Sequence, residues 1–234
     1  MGKIITIKNN KGGVGKSTLS KNIAHGLALL ENKVALITTD SQNDSLILLG
    51  GWFEGGKGLK YHIQTGSDVA IEMRENLDYI PVETDIFGNN LKKKIIKAFD
   101  EFKEKYDYII VDSAPVFNVL NETILAITDE IIVPTKLDKL SIAGIMRLIN
   151  KIEGEKISIV VPNLVRNTKL NKMYNIELEE MLGETGVMLS APIHESVMEE
   201  TLSEKGKTIF ETASKKAENM QEVYGEIIGA ILSK

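Results

Sequence analysis

The feature that most constrains this 234-residue chain is a glycine-rich loop set between two short apolar patterns. Residues 4–7 form a β-branched run. The loop follows as Asn9, Asn10, Lys11, Gly12, Gly13, Val14, Gly15, Lys16, Ser17 and Thr18, and Leu19 and Ile23 then open a helical pattern. A strand that delivers the chain to such a loop, and a helix that carries it away, is the local arrangement of a phosphate-binding loop. Glycines allow successive backbone N–H groups to converge on phosphate oxygens. The helix N-terminus adds partial positive charge. In that arrangement Lys16 neutralises the β- and γ-phosphates, and Ser17 offers its hydroxyl to Mg²⁺. Asn10 stands where the strict G-x-x-x-x-G-K-[ST] pattern has its first glycine. The remaining string, K-G-G-x-G-K-[ST], arises by chance in such a chain on the order of once in tens of thousands.

The rest of the chain supplies a sheet for this loop to sit on. Continuous apolar runs at residues 4–7, 34–38, 77–82, 108–112, 130–134, 157–162 and 187–191 read as strands covered on both faces. Between them lie helical stripes: Leu19, Ile23, Leu27, Leu30; Phe87, Leu91, Ile95, Phe99, Phe102; Ile142, Ile145, Ile149, Ile152; and Met220, Val223, Ile227, Ile231. Alternating strand and helix implies an α/β fold, a doubly wound and mostly parallel sheet flanked by helices, with right-handed crossovers. One domain over residues 1–234 is expected at this length. Residues 43–75 hold six glycines and Trp52, the only tryptophan, and read as a mobile functional loop.

Composition removes several chemistries. With no cysteine, disulfides, thiolate zinc sites, iron–sulfur clusters and cysteine nucleophiles are excluded. No apolar run approaches the roughly 20 residues that span a bilayer. The N-terminus runs directly into a strand pattern, so no leader is expected and the reading is cytoplasmic. The net charge of −5 argues against a strongly basic nucleic-acid module without excluding a local basic patch.

The loop resembles the deviant Walker A motif of the ParA/MinD group of P-loop ATPases, with Lys11 at the signature lysine. The resemblance spans essentially the whole chain. It implies ATP and Mg²⁺ as cofactors, ATP hydrolysis, and a homodimer with ATP sandwiched at its interface, where Lys11 reaches the partner's nucleotide. Thr38, Thr39, Asp40, Ser41 and Gln42 resemble the first switch, D-x-D-P-Q. Asp40 falls on the aspartate that orients the attacking water and also serves the magnesium shell. Thr38 and Ser41 depart from the pattern, which implies a less rigid loop.

Residues 106–115 (YDYIIVDSAP) resemble the Walker B strand and second switch, so Asp112 is implied at the magnesium hydration shell. The same Asp-Ser-Ala-Pro string also suits a helix N-cap. Asn163 matches an asparagine that contacts adenine, or else caps a strand end. Pro192 lies in the loop implied to close over the base. Adenine is favoured through the resemblance alone, since no N-K-x-D base-reading string is present to argue from.

Within the group, the missing cysteines remove the nitrogenase iron-protein branch, and Tyr224 alone near the C-terminus does not make the tyrosine cluster of the autokinases. The last helical stripe carries Glu218, Glu222 and Glu226, which anionic lipid repels, so no stable membrane anchor is expected. The resemblance that remains is to small ParA-type partition ATPases, which bind DNA non-specifically and are reset by a ParB-like stimulating partner. Such a protein is expected on the nucleoid if it binds DNA. The best basic cluster for that step is Arg166, Lys169 and Lys172, joined by Lys205, Lys207, Lys215 and Lys216, against the alternative of a solvated face. The competing expectation is a MinD-like or cargo-positioning ATPase that acts on a protein or membrane partner without DNA.

Overall fold

In a computed structural model, residues 1–83, 90–116, 118–151, 156–183 and 185–234 are described. The elements follow in the order β1 (Lys3–Ile7), α1 (Lys16–Leu29), β2 (Val34–Thr38), α2 (Asp44–Ile47), α3 (Leu59–Thr65), β3 (Ile71–Arg74), β4 (Leu77–Ile80), α4 (Leu91–Lys105) and β5 (Tyr108–Asp112). They continue with α5 (Val119–Ile127), β6 (Glu130–Thr135), α6 (Lys139–Lys151), β7 (Ile157–Val165), α7 (Lys169–Leu182), β8 (Met188–Leu189), β9 (Ile193–His194), α8 (Val197–Glu204) and α9 (Lys215–Leu232).

The strand order is β3-β4-β2-β5-β1-β6-β7-β8, with β9 added to the far end of β7. Every pairing is parallel except that of β3 on β4. The sheet is thus mostly parallel and flanked by helices on both faces, as the alternation of patterns implies. Side chains alternate across each strand. Ile5, Ile7, Leu36 and Ile110 face a layer made by α1 and α9, whose Leu19, Ile23, Leu27, Ile227 and Ile231 are fully buried. Ile4, Ile37, Ile109 and Val111 face the opposite layer, where α4 and α5 bring Ile95, Phe99, Phe102 and Ile124. Helices α6 and α7 cover the β6–β7 end with Ile145, Leu148, Leu178 and Leu182. Each such side chain contributes roughly 1.5–3 kcal/mol of burial free energy. Burial on both faces is the reason these strands read as continuous apolar runs.

Several expectations are corrected. Residues 43–75 are not one loop: they hold α2, α3 and β3, and the irregular stretches are the glycine-rich run that ends at Gly58 and residues 66–70. Leu30 leaves the core, because it follows the last turn of α1 and is exposed. The strand expected over residues 187–191 contracts to β8, two residues long, and the short strands β3 and β9 carry too few residues to show a period. Phe87 and Ile152, expected on the stripes of α4 and α6, lie outside the described residues.

Candidate nucleotide site

Register sets the site. Ile7 on β1 lies opposite Asp112 on β5, and Asp112 lies opposite Thr38 on β2. Three adjacent parallel strands therefore end at one level, and their following loops converge there. Loops at the carboxyl ends of parallel strands are the usual place for a site in an open α/β sheet.

The loop after β1 is braced before it turns. The Asn9 side chain donates to Pro134 O at 2.7 Å and accepts from Lys11 N at 2.8 Å. Gly15, the residue ahead of α1, has φ +84°, a left-handed conformation that glycine adopts without strain. A Cβ there would fall 2.2 Å from Asn163 Nδ2, whose amide donates to Val14 O at 2.9 Å. Gly12 and Gly13 have open space where a side chain would be. Val14 is fully buried and pins the loop from below.

Gly12, Gly13, Lys16, Ser17, Asp40 and Asp112 line a cavity of about 430 Å³, together with Thr18 and Gly15. The structure thus brings together the residues expected to hold phosphate and metal. Burial holds the Lys16 ammonium below its ordinary pKa, against the opposing pull of Asp112 and then Asp40. Burial raises Asp112 to about 6, against hydroxyl hydrogen bonds from Ser17 and Ser45 and the charge of Lys16. A poorly solvated carboxylate and a cation in one cavity form a site prepared for a highly charged ligand with its counter-ion. Asp112 is not a helix cap: α5 starts at Val119 and is capped by Asn118, which accepts from Asn121 N.

Among the described residues no three acidic or histidine side chains gather into a metal cage. The donors that do line the cavity, the Ser17 hydroxyl and the Asp40 and Asp112 carboxylates, suit Mg²⁺, which keeps waters and takes phosphate oxygens beside one or two carboxylates. Ser17 and Asp112 are the groups that would face it directly, with Asp40 nearby. Asp40 is ordered locally: its N–H donates to Thr38 Oγ1 at 3.1 Å, and its Oδ1 accepts from Gln42 N at 3.2 Å. Thr38 thus braces the turn from the position of the first aspartate of the switch pattern.

Lys11 lies on the other side of the loop. Its Nζ donates to Asp138 Oδ2 at 2.9 Å, Asp138 Oδ1 at 3.2 Å and Ser141 Oγ at 2.9 Å. Asp138 also accepts from Ser141 N at 2.9 Å at the start of α6. Burial pushes the Asp138 carboxyl up, but the hydrogen bonds from Lys11 and Ser141 outweigh it and hold the group below the usual range. Lys11 lines a second cavity of about 390 Å³ with Leu140, Ser141 and Arg147. The Asp-x-x-Ser spacing ahead of α6 signals a cap in the sequence; nothing in it signals Lys11.

A third cavity, about 260 Å³, adjoins Gly15 and Thr18 and is lined by Asn163, Leu164, Ile193, His194, Ser196 and Glu199 among others. Asn163 therefore braces the phosphate loop and borders this cavity at once. Pro192 lines a neighbouring surface groove with Val197 and Met198, and Ile193 takes its place at the cavity wall. Beneath lies an ion pair that no sequence pattern announces, its lysine buried and its carboxylate largely so. Lys21 on α1 donates to Ser203 Oγ at 2.7 Å and Lys207 O at 2.9 Å, and pairs with Glu199 Oε1 at 3.2 Å. Burial lowers the Lys21 pKa, and Glu199 opposes the shift.

The basic residues nominated for DNA are all exposed. Arg166, Lys169 and Lys172 lie at the end of β7 and the start of α7, whereas Lys205 and Lys207 follow α8, and Lys215 and Lys216 open α9. Arg166 is engaged, with Nε 2.7 Å and an Nη 3.2 Å from the Glu195 carboxylate. No helix among the described residues is long and apolar enough to cross a membrane.

Known proteins resemble this chain in sequence and in fold. The AAA domain family matches residues 2–164. The sporulation initiation inhibitor protein Soj of Bacillus subtilis is 30% identical over 165 residues, 65% of each chain. The chromosome partitioning protein ParA of Myxococcus xanthus is 28% identical over 166 residues, 65% of this chain and 59% of its own. The chain thus spans less than two thirds of the length of these two relatives. Among solved structures, a Borrelia burgdorferi protein assigned to plasmid partition and bound to AMPPNP has a TM-score of 0.80 at 22% identity, covering 100% of this chain and 99% of its own. Cyanothece McdA in an ATP complex gives 0.81 at 17%, covering 98% and 96%. Pyrococcus horikoshii MinD with Mg-ADP gives 0.78 at 18%, covering 97% and 96%. These likenesses establish the fold.

Proposed function

Since the chain belongs to the ParA/MinD family of deviant Walker A P-loop ATPases, we propose that it is a partition ATPase that dimerises on ATP, binds DNA without sequence preference and is reset by partner-stimulated hydrolysis. The observation that carries this reading is the convergence of Lys16, Ser17, Asp40 and Asp112 on one cavity above the glycine loop.

The roles follow from chemistry. Backbone N–H groups of residues 12–17 and the Lys16 ammonium hold the β- and γ-phosphates. Mg²⁺, when bound, neutralises charge on those phosphates; Ser17 and Asp112 are the side chains that would hold it and its waters. Asp40, at the rim of the same cavity, accepts a hydrogen bond from the attacking water and fixes its line of approach. Lys11 supplies positive charge to the nucleotide of a second copy, and leaving Asp138 is then part of dimerisation. Asn163 and the loop from Ile193 border the base, with Pro192 at the outer side of that loop.

Lysines give salt-dependent phosphate contacts, and a dimer doubles any patch that one copy carries. The groups assigned to DNA are Lys169, Lys172, Lys205 and Lys207, with Arg166 in competition with Glu195. That competition, with the net charge of −5, favours a second reading: a MinD-like or cargo-positioning ATPase that acts on a protein or membrane partner without DNA. Retention on non-specific duplex DNA, measured across a salt series with ATP, with ADP and without nucleotide, separates the two. ATP-dependent retention that weakens with salt supports partition. No retention in any state, beside ATP-dependent dimerisation, rejects the DNA step and selects the second reading.

A further inference from the structure

The end of β2 holds a buried hydroxyl that the phosphate chemistry leaves unused. Thr39 lies between Thr38 and Asp40. Its N–H donates to Asp112 O at 3.1 Å. Its Oγ1 accepts from Ala114 N at 2.9 Å and donates to Asn121 Oδ1 at 2.7 Å. The directions are forced. A backbone N–H can only donate, so the single Thr39 hydroxyl proton is left for the Asn121 carbonyl oxygen. The Asn121 amide nitrogen then faces Val116 O, to which it donates at 3.1 Å. From the other side Lys8, fully buried just past β1, donates its Nζ to Ala114 O at 3.0 Å.

Ala114 is therefore gripped at both polar groups, its N–H by the end of β2 and its C=O by the end of β1. The residues around it reach the cavity: Ser113 and Pro115 line it, as does Asp40. Thr39, Ala114, Asn121 and Lys8 are all buried, so losing the hydroxyl strands a donor on Ala114 and an acceptor on Asn121 away from water.

We propose that Thr39 is a positioning residue that couples the Asp40 turn to residues 113–116, so that the two walls of the phosphate cavity move as one unit when nucleotide binds, with Lys8 as the anchor at the far end. The catalytic consequence rests on the ATPase reading; the coupling does not. A displacement of about 1 Å in a reacting geometry costs on the order of 100-fold in rate, so a shared brace at this place has leverage.

The test compares the parent with Thr39→Val, which keeps shape and loses the hydroxyl, and Thr39→Ser, which keeps the hydroxyl. Amide hydrogen exchange is read over residues 38–42 and 113–116 without nucleotide, with Mg·ADP and with Mg·AMPPNP. ATP affinity and single-turnover hydrolysis are read alongside. In Thr39→Val the analogue protects residues 38–42, and protection no longer extends to 113–116. ATP affinity stays within about twofold while turnover falls roughly tenfold. Thr39→Ser restores both. Lys8→Met, the second variant, loses protection at 113–116 from the opposite end and keeps the coupling readable should Thr39→Val fail to fold. Parent-like protection at 113–116 in the folded variants, or Thr39→Ser behaving as Thr39→Val does, overturns the proposal. A parent that binds ATP and never turns it over removes the ATPase reading, and the exchange comparison still decides the coupling.

Discussion

Lys11 and Asp138 meet in a two-pronged contact, with Nζ 2.9 Å from Oδ2 and 3.2 Å from Oδ1, which holds the first lysine of the loop against its own α6. Both side chains are 41% exposed, so the contact is a weak tether worth about 0.2–1 kcal/mol. Asp138→Ala is expected to strengthen ATP-dependent dimerisation about two- to fivefold by sedimentation, because Lys11 no longer has to leave a partner. Lys11→Ala is expected to bind ATP and remain monomeric. A weaker dimer in Asp138→Ala would show that the carboxylate serves the interface instead.

Asp112 carries a pH signature. Its folded pKa of about 6 stands above the ordinary 3.8, so between those values the folded state holds the extra proton. Stability from this group is therefore present below pH 3.8 and is lost as pH rises through 6. Asp112→Asn, free of nucleotide, is expected to exceed the parent by about 2–3 kcal/mol at pH 8 in urea unfolding, with the gap closing towards pH 4. Metal binding needs the ionised form, so parent affinity for Mg·ATP is expected to weaken below pH 6 in titration calorimetry. A gap between parent and Asn variant that does not change with pH rejects both expectations.

Gly15 has no room for a side chain, with Asn163 Nδ2 2.2 Å from an added Cβ and φ at +84°. Gly15→Ala must move Asn163 off Val14 O and strain the turn, at about 1–3 kcal/mol. The expected result is a folded protein with at least tenfold weaker ATP binding. Asn163→Ala, which removes the brace and not the turn, is expected to lie between that variant and the parent.

In the Lys21–Glu199 pair the lysine is fully buried and the carboxylate nearly so, with 0% and 13% side-chain exposure. Removing one partner leaves a charge in the interior, so Glu199→Ala is expected to lose about 3–5 kcal/mol in denaturant unfolding. Lys21→Met combined with Glu199→Leu is expected to recover most of that loss, because two apolar groups of similar size need no counter-charge. A double variant as unstable as the single one would place the cost in packing.

The sequence and the fold agree where the information is local. Strands β1, β2 and β5 are legible because both faces are buried and each carries a run of apolar residues, and the glycine loop is legible because its turn geometry is written in its own residues. What escapes is made by register and distance. Lys11 and Asp138 are 127 positions apart, and Lys21 and Ser203 are 182 apart. Neither pair has a pattern that calls for the other. Thr39 falls on the unspecified position of a switch motif, and only the alignment of β2 with β5 brings Ala114 to it. Strand β3 was lost among glycines because four residues with a break between Glu72 and Arg74 cannot set up an alternation.

That short strand has a further consequence. The sheet ends on one side in four residues that run against their neighbour, carry Glu72 and Arg74, and break register between them. On the other side it ends in the two residues of β8. Among the described residues, neither border offers the long, flat, unpaired rim onto which a foreign strand can add. Self-association through backbone pairing, the route to filaments and aggregates, is blunted at both borders. Contacts between copies are left to side chains on loops and helices, where they can be made and unmade without disturbing the sheet.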